Sequence, residues 1–420
     1  MFCFIHAADL HLDSPLIGLE SYQDAPVDQI RNAARRAFDN LVDLAITKEV
    51  AFVLLAGDLF DGDWKDQNTG IYFMTRLKQL SGTGIRVFMV SGNHDAASHI
   101  NRALILPENV TLFPHRKPET HVLEEIGVAI HGQSFSSRAV TEDLSRSYPP
   151  AVKGLLNIGL LHTSVTGRPG HEPYAPCTIE GLCARGYDYW ALGHVHKREE
   201  LSRDPWIVFP GNIQGRHVRE TGPKGCTLVT VEEGQIVGVE HHDLDVLRWQ
   251  VMRAELGDCD STDVVTELVR KVMEAALKDS GDRPLALRLV LEGCTPVHGA
   301  LHERSHYLSE RFRELTAGLG DLWLEKVVIN TRKPDVPRDF LPDDTPLSTV
   351  ESEVCDLQGR GSDLLALIPE LEQLRNKLPP ELSEDPELFP PGPDGLGCLC
   401  EDVKEFLVGR MLRQGGRHED

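Results

Sequence analysis

Five short apolar runs in this chain each stop at a carboxylate, an amide or an imidazole. No other feature limits its fold so tightly. The runs are FIHAAD (4–9), VLLAGD (53–58), VFMVSGN (87–93), LLNIGLLH (155–162) and YWALGH (189–194). Apolar runs of this length, closed by glycine or a polar residue, read as strands buried on both faces. A polar residue just past such a strand stands at the carboxyl edge of an open α/β sheet, where ligands bind. The expectation is five such elements on one edge of one sheet, with Asp58 between the others.

The rest of the chain fits that reading. Residues 28–48 place Ile30, Ala33, Ala34, Ala37, Leu41, Leu44 and Ala45 at helical spacing, and 70–80 do the same between the second and third strands. Strand–helix–strand–helix–strand implies a sheet with covered faces. Further strands are expected at 127–131 and 207–209. The stretch 226–244 alternates around Glu232-Glu233-Gly234, a hairpin signature. The domain reading is 1–246 catalytic, 247–333 a small α+β accessory module of three strands and two helices, and 334–420 an acidic, Pro-rich linker and helical tail. In that tail, helices are expected at 362–378 and 399–412.

Composition narrows the class. A chain of 420 residues exceeds one ordinary core. No apolar stretch is long enough to cross a bilayer, so no membrane partner is expected. The N-terminus lacks a basic, cleavable leader pattern. Nine irregularly spaced cysteines favour reduced thiols and a cytoplasmic setting over a disulfide framework. Cys177, Cys183, Cys398 and Cys400 lack the CxxC spacing of a zinc site. The net charge of −22 counts against an autonomous DNA-binding surface. Half of it lies after residue 335, where 19 acidic residues face 8 basic ones.

Taken singly, the motifs are bland. Asp9-x-His11 is ordinarily solvated surface, and Gly57-Asp58 is ordinarily a turn or helix cap. In Gly92-Asn93-His94-Asp95 the amide offers a neutral oxygen, His94 can reach a substrate, and Asp95 can orient its ring. His162 alone reads as a buried or edge histidine, whereas His194 and His196, at i and i+2 on an extended segment, point the same way. His131 fits no ligand slot and reads as structural. His171, Tyr174, Arg216 and His217 read equally as phosphate or base contacts and as loop surface. Together the strand-end residues offer oxygen and imidazole donors without thiolate, compatible with manganese, iron or zinc.

The order D-x-H, G-D, G-N-H-D, H, G-H-x-H resembles that of the calcineurin-like metallophosphoesterase superfamily. Within it the chain looks like the SbcD/YhaO-type DNA repair nuclease subunits. AADLHLDSPL (7–16), LLAGDLFD (54–61), YAPCT (174–178) and PGNIQGRHVRETGPKGC (210–226) carry that likeness. It spans 2–246 clearly and 247–333 by layout. It implies an α/β metallophosphoesterase β-sandwich flanked by helices, with a small α+β capping domain. It implies two divalent ions, manganese above all, one on Asp9, His11, Asp58 and His196 and the other on Asp58, Asn93, His162 and His194. His94 is then the general acid. Some members carry histidine where this chain has Asp61, so no histidine role transfers there. The expected activity is two-metal phosphodiester cleavage, as a DNA exo- or endonuclease in double-strand-break repair. An SMC-like coiled-coil ATPase is the expected partner, and a homodimer is the family habit. The rivals are a phosphatase or cyclic-nucleotide phosphodiesterase of the same superfamily, and a non-enzymatic scaffold.

Overall fold

A computed structural model describes residues 1–14, 25–61, 67–97, 105–165, 174–281, 283–334, 349 and 377. Apart from Lys377, the expected tail helices lie outside the described residues, as do His171, Cys398 and Cys400. β1 (Phe2–Ala7), α1 (Val27–Thr47), β2 (Phe52–Ala56), α2 (Gln67–Gly82), β3 (Arg86–Val90) and the short α3 (Asn93–Ala97) alternate as the spacing predicts. α1 forms because its apolar residues return every three or four positions. Ile30, Ala33, Ala37, Phe38, Leu41 and Ala45 are buried along one stripe.

The strand ends do not share one sheet, which corrects the sequence expectation. β1, β2, β3 and β4 (Val110–Leu112) are parallel. β11 (Gly225–Glu232) and β12 (Gln235–Asp243) add antiparallel strands, giving the order β12-β11-β1-β2-β3-β4. A second sheet has the order β5-β6-β7-β8-β10-β9. In it β6 (Val128–Gln133), β7 (Leu156–His162), β8 (Tyr189–Gly193) and β10 (Trp206–Phe209) run parallel, between antiparallel edges β5 (Glu119–Leu123) and β9 (Glu199–Arg203). β4, β5 and β9 escape the sequence reading because they are short and mostly half-exposed, with no apolar run to mark them.

Alternation along the strands explains why two sheets meet. Phe52, Leu54 and Ala56 of β2, with Phe4 and Phe88, share one apolar layer with Ile130, Ile158, Leu160 and Tyr189 of the second sheet. The odd neighbours Val53 and Leu55 turn the other way, against Ala37, Phe38 and Leu41 of α1 and Phe73 and Leu77 of α2. Trp190 and Leu192 of β8 face outward onto Leu182 of α4 (Ile179–Cys183). The result is helix, sheet, sheet, helix. Adjacent residues on a strand serve opposite layers, so every central strand is apolar on both faces.

The hairpin turn is where the sequence places it. Glu233 and Gly234 both have positive φ, +50° and +77°, the geometry of a tight two-residue turn between twisted strands. A third sheet follows the order β13-β14-β15: β13 (Arg248–Glu255), β14 (Leu285–Cys294) and β15 (Leu322–Arg332). The helices of this stretch are α5 (Thr262–Asp279), α6 (His298–Glu303) and α7 (Ser305–Leu319), one helix more than the spacing indicates. Trp249, Ala286 and Trp323 pack with Ile30 of α1 in one apolar cluster. The described residues fall into two units, 1–293 with 304–331, and 294–303 with 332–334, 349 and 377.

Candidate metal centre

The chemistry gathers at the carboxyl ends of five strands, three from the first sheet and two from the second. β1 delivers Asp9 and His11, β2 delivers Asp58, and β3 delivers Asn93. Across the layer, β7 ends in His162, and β8 leads into His194 and His196. Asp9, Asp58, Asn93, His11 and His162 are all buried. Asp9, His11, Asp58 and His194 hold positive φ values of +52°, +43°, +51° and +110°. For residues other than glycine this is strained backbone, on the order of 1–3 kcal/mol each. It is held by cross-loop bonds from Asp9 N–H to Gly57 O and from His11 N–H to Asp58 O, both 3.0 Å. At His194 the chain is therefore not extended. His194 and His196 join different clusters rather than pointing the same way.

Among the described residues three groups of donors result, each with ligand atoms within 4.8 Å of one another. Asp9, His11 and His196 form one and Asp58, His162 and His194 another, while the third, His11, Asp61 and His94, shares His11 with the first and is tied by the Asp61 carboxylate. Hydrogen-bond logic shows what these groups suit. Asp61 Oδ1 lies 2.6 Å from His11 Nδ1, and Glu220 Oε1 lies 2.6 Å from His196 Nδ1. Ionised carboxylates only accept, so each Nδ1 carries the proton. The two Nε2 lone pairs then face each other at 3.1 Å. In the second group His162 Nδ1 donates to the Ala56 carbonyl at 2.9 Å. Its Nε2 lone pair therefore meets Asn93 Oδ1 at 2.9 Å and Asp58 Oδ2 at 3.4 Å, again acceptor against acceptor. Lone pairs converging without a proton are what a cation satisfies, so the donor set fits a divalent ion in each of the first two groups.

The charge balance points the same way. Burial, then the Asp58 charge, pushes Asp9 well above the ordinary carboxylate range. Burial also works against ionised Asp58, yet His162, His11 and His94 hold it down at about 2. Burial pushes His11 down to about 4 and lowers His162, keeping both rings neutral. Gly193 allows the sheets to approach this closely, since a Cβ there would lie 1.9 Å from Ala56 O.

His94 sits at the mouth, 35% exposed, with Nδ1 3.1 Å from Asp61 Oδ1. Burial lowers its pKa, but the hydrogen bond to Asp61 and the Asp58 charge prevail, and the net shift is upward. The orienting carboxylate is thus Asp61, which corrects the role read for Asp95. Asp95 instead accepts the backbone N–H groups of Leu59, Phe60 and Gly92 at 2.9–3.1 Å, tying the β2 and β3 loops together. Arg216 joins Asp61 (3.3 Å) to Glu220 (3.2 Å) and is half-buried in the site, not free on a loop. Burial raises Glu220, but the His196 bond and the Arg216 charge take it well below the usual range. Phe135 and Tyr174 stand edge-on to His162 and His194, with centroids 5.4 and 5.6 Å away. His131 bonds Thr120 and Asn157 and stacks on Tyr187, a structural residue. Cys177 is buried beside Thr163, its thiol pushed up to about 11 by burial. Glu220 lies within the 210–226 stretch that carries the family likeness, but nothing local singles it out there, since its partner His196 is 24 residues away.

Comparison with known proteins bears directly on this centre. A profile described as "Calcineurin-like phosphoesterase" matches residues 3–198, and one described as "Metallophosphoesterase YhaO, middle domain" matches 249–332. The "Uncharacterized metallophosphoesterase YhaO" of Bacillus subtilis is 35% identical over 297 residues, 70% of this chain and 72% of that one. The chain belongs to the YhaO family of calcineurin-like metallophosphoesterases. It is a metal-dependent hydrolase of phosphate esters, and the superfamily resemblance read from the motifs holds. More distant relatives of this YhaO-family chain have narrower names. The "DNA double-strand break repair protein Mre11" of Sulfurisphaera tokodaii is 26% identical over 69% of this chain and 73% of its own. A subunit of the nuclease SbcCD of Escherichia coli K12 is 24% identical over 64% of this chain and 74% of its own. Among the described residues no helix is long and apolar enough to cross a membrane.

Proposed function

We propose that this metallophosphoesterase is a two-metal phosphodiesterase that cleaves DNA in double-strand-break processing. One ion would be held by Asp9, His11, His196 and Asp58, and the other by Asp58, Asn93, His162 and His194. The observation that carries the reading is the pair of lone-pair clusters, His11 with His196 and His162 with Asn93 and Asp58, with His94 N–H on Asp58. Two divalent ions at such a site polarise a phosphodiester and favour ionised water, with manganese the proposed metal. The chain's own residues do the rest. Asp61 holds the His94 ring by Nδ1 and the ring is 35% exposed, so Nε2 is the nitrogen assigned to the proton transfer. As water adds to phosphorus and the ester P–O bond breaks, the departing 3′ or 5′ oxygen takes its proton from His94. The repair role and nuclease activity are supported by the names of the distant relatives. An SMC-like ATPase partner follows from the resemblance and would supply the basic surface that a chain of net charge −22 lacks. A cytoplasmic setting, a homodimer and the division at 246/247 and 333/334 complete the proposal.

The test is Mn²⁺-dependent cleavage of end-labelled duplex and single-stranded DNA beside bis-p-nitrophenyl phosphate, with Asp58→Ala as control. Cleavage of both, lost in the control, is expected. Cleavage of the small diester alone means an intact metal centre whose DNA-binding partner or true substrate is missing from the assay. Cleavage of neither favours a scaffold.

A further inference from the structure

Glu220 lies outside every strand-end motif, in the segment between β10 and β11, yet its carboxylate accepts four bonds inside the centre. Oε1 takes His196 Nδ1–H at 2.6 Å and Arg216 Nη2–H at 3.2 Å. Oε2 takes Arg216 N–H at 2.8 Å and Asn212 Nδ2–H at 3.0 Å. Only 6% of the side chain is exposed. All four partners are donors, so only an ionised carboxylate fits here. Arg216 also bonds Asp61 Oδ2 at 3.3 Å, and Asp61 takes His11 Nδ1–H at 2.6 Å. Glu220, Arg216 and Asp61 thus form a bridge whose two carboxylates each hold one imidazole by Nδ1. The two rings so held are the pair whose Nε2 atoms meet at 3.1 Å.

We infer that Glu220 is a positioning residue for His196, locked by Arg216 to the carboxylate that does the same for His11. It fixes the Nδ1–H tautomer and aims the Nε2 lone pair at the Asp9 side of the centre. The bridge sets ring proton and ring angle together, so its loss weakens one metal position and spares the other. The inference rests on the two-metal reading for its effect on affinity, but its effect on the ring does not.

The test compares the full-length chain with Glu220→Gln. A glutamine presents one acceptor and one NH₂, so two of the four donors lose their partner whichever way the amide turns. In metal-free protein labelled with ¹⁵N-histidine, long-range ¹H–¹⁵N spectra are expected to show His196 as the Nδ1–H tautomer. In the variant that ring is expected to become a tautomer mixture. Mn²⁺ titration by calorimetry is expected to show one of two equivalents weakened about 10- to 100-fold and the other within about threefold. An unchanged His196 tautomer overturns the inference, as do two unchanged Mn²⁺ affinities alongside a lowered melting temperature. Wild type taking fewer than two Mn²⁺ defeats the two-metal reading instead, and the tautomer result still decides for Glu220. If Glu220→Gln does not fold, Arg216→Gln unties the bridge while leaving Glu220 in place. Its expected effect is a loosened His196 ring and about a fivefold loss at the same metal position, and no change in either overturns the inference.

Discussion

Adding one methyl group at Gly92 should disable the centre without replacing a single donor residue. A Cβ built there would lie 2.3 Å from Asp58 Oδ1, 2.8 Å from Asp58 N and 2.8 Å from His162 Cε1. Carbon and oxygen in van der Waals contact sit above about 3 Å, so Asp58 or the β3 loop has to retreat by about 1 Å. Neither can yield cheaply. Asp58 is pinned by the His94 N–H at 3.0 Å, and Gly92 N–H is pinned to Asp95 Oδ2 at 3.0 Å. A shift of about 1 Å in a reacting geometry costs about 10²-fold in rate, or about 2.7 kcal/mol of barrier. Overpacking adds about 1–3 kcal/mol of lost stability. Gly82, at the end of α2, has nothing within 4 Å of its own Cβ position. Gly82→Ala is therefore the matched control, the same chemical change in open space. Bis-p-nitrophenyl phosphate hydrolysis should fall about 100-fold in Gly92→Ala and stay within about twofold in Gly82→Ala, with urea unfolding run on both. Activity in Gly92→Ala within about threefold of wild type would refute the packing of the strand-end loops against Asp58 as the source of the site's geometry.

Other perturbations reach other parts of the centre and the fold. His94→Ala should keep two Mn²⁺ equivalents by calorimetry yet lower kcat about 10²- to 10⁴-fold, since Asp61 retains His11 and Arg216; full turnover would remove the general-acid role. His6 is buried, gives one ring nitrogen to Leu192 O and accepts from the Tyr189 hydroxyl with the other, and burial pushes it down to about 3. The folded ring stays neutral to about pH 3 while the unfolded ring takes a proton near 6.5, so stability falls as pH drops through that window. At about pH 5 the loss from this group is on the order of 2 kcal/mol. Urea titrations of His6→Gln should show a decline between neutral pH and about pH 5 smaller by that amount, and an identical decline would exclude His6 as its source. Trp249→Ala empties the cluster with Ile30 and Trp323 and removes the indole bond to Gly215 O at 3.1 Å. About 3–5 kcal/mol of unfolding free energy should be lost, and a loss under about 1 kcal/mol would mean that the third sheet is not anchored to α1 through this residue.

The donors themselves are legible in local patterning. Asp9, Asp58, Asn93, His162 and His194 end apolar runs, with His11 and His196 two residues further on, and strand ends are where an α/β sheet presents polar groups. Each signal is written within a few residues, as are the α1 stripe and the Glu233-Gly234 turn. Tertiary structure decided which sheet each run joined, because an apolar strand buried on two faces carries no mark of its neighbours. It also decided that His94 leans on Asp61 while Asp95 ties loops. Both carboxylates lie within reach of His94 in principle, and only the fold of the β2 loop sets which one arrives. Glu220 and Arg216 are the clearest case. Their partners His196, Asp61 and, through it, His11 lie 20 to about 200 residues away in the chain. The sequence alone thus named the oxygen and imidazole donors that converge here, and the closed sandwich decided which carboxylates hold them, since a hydrogen bond across layers leaves no period or spacing behind.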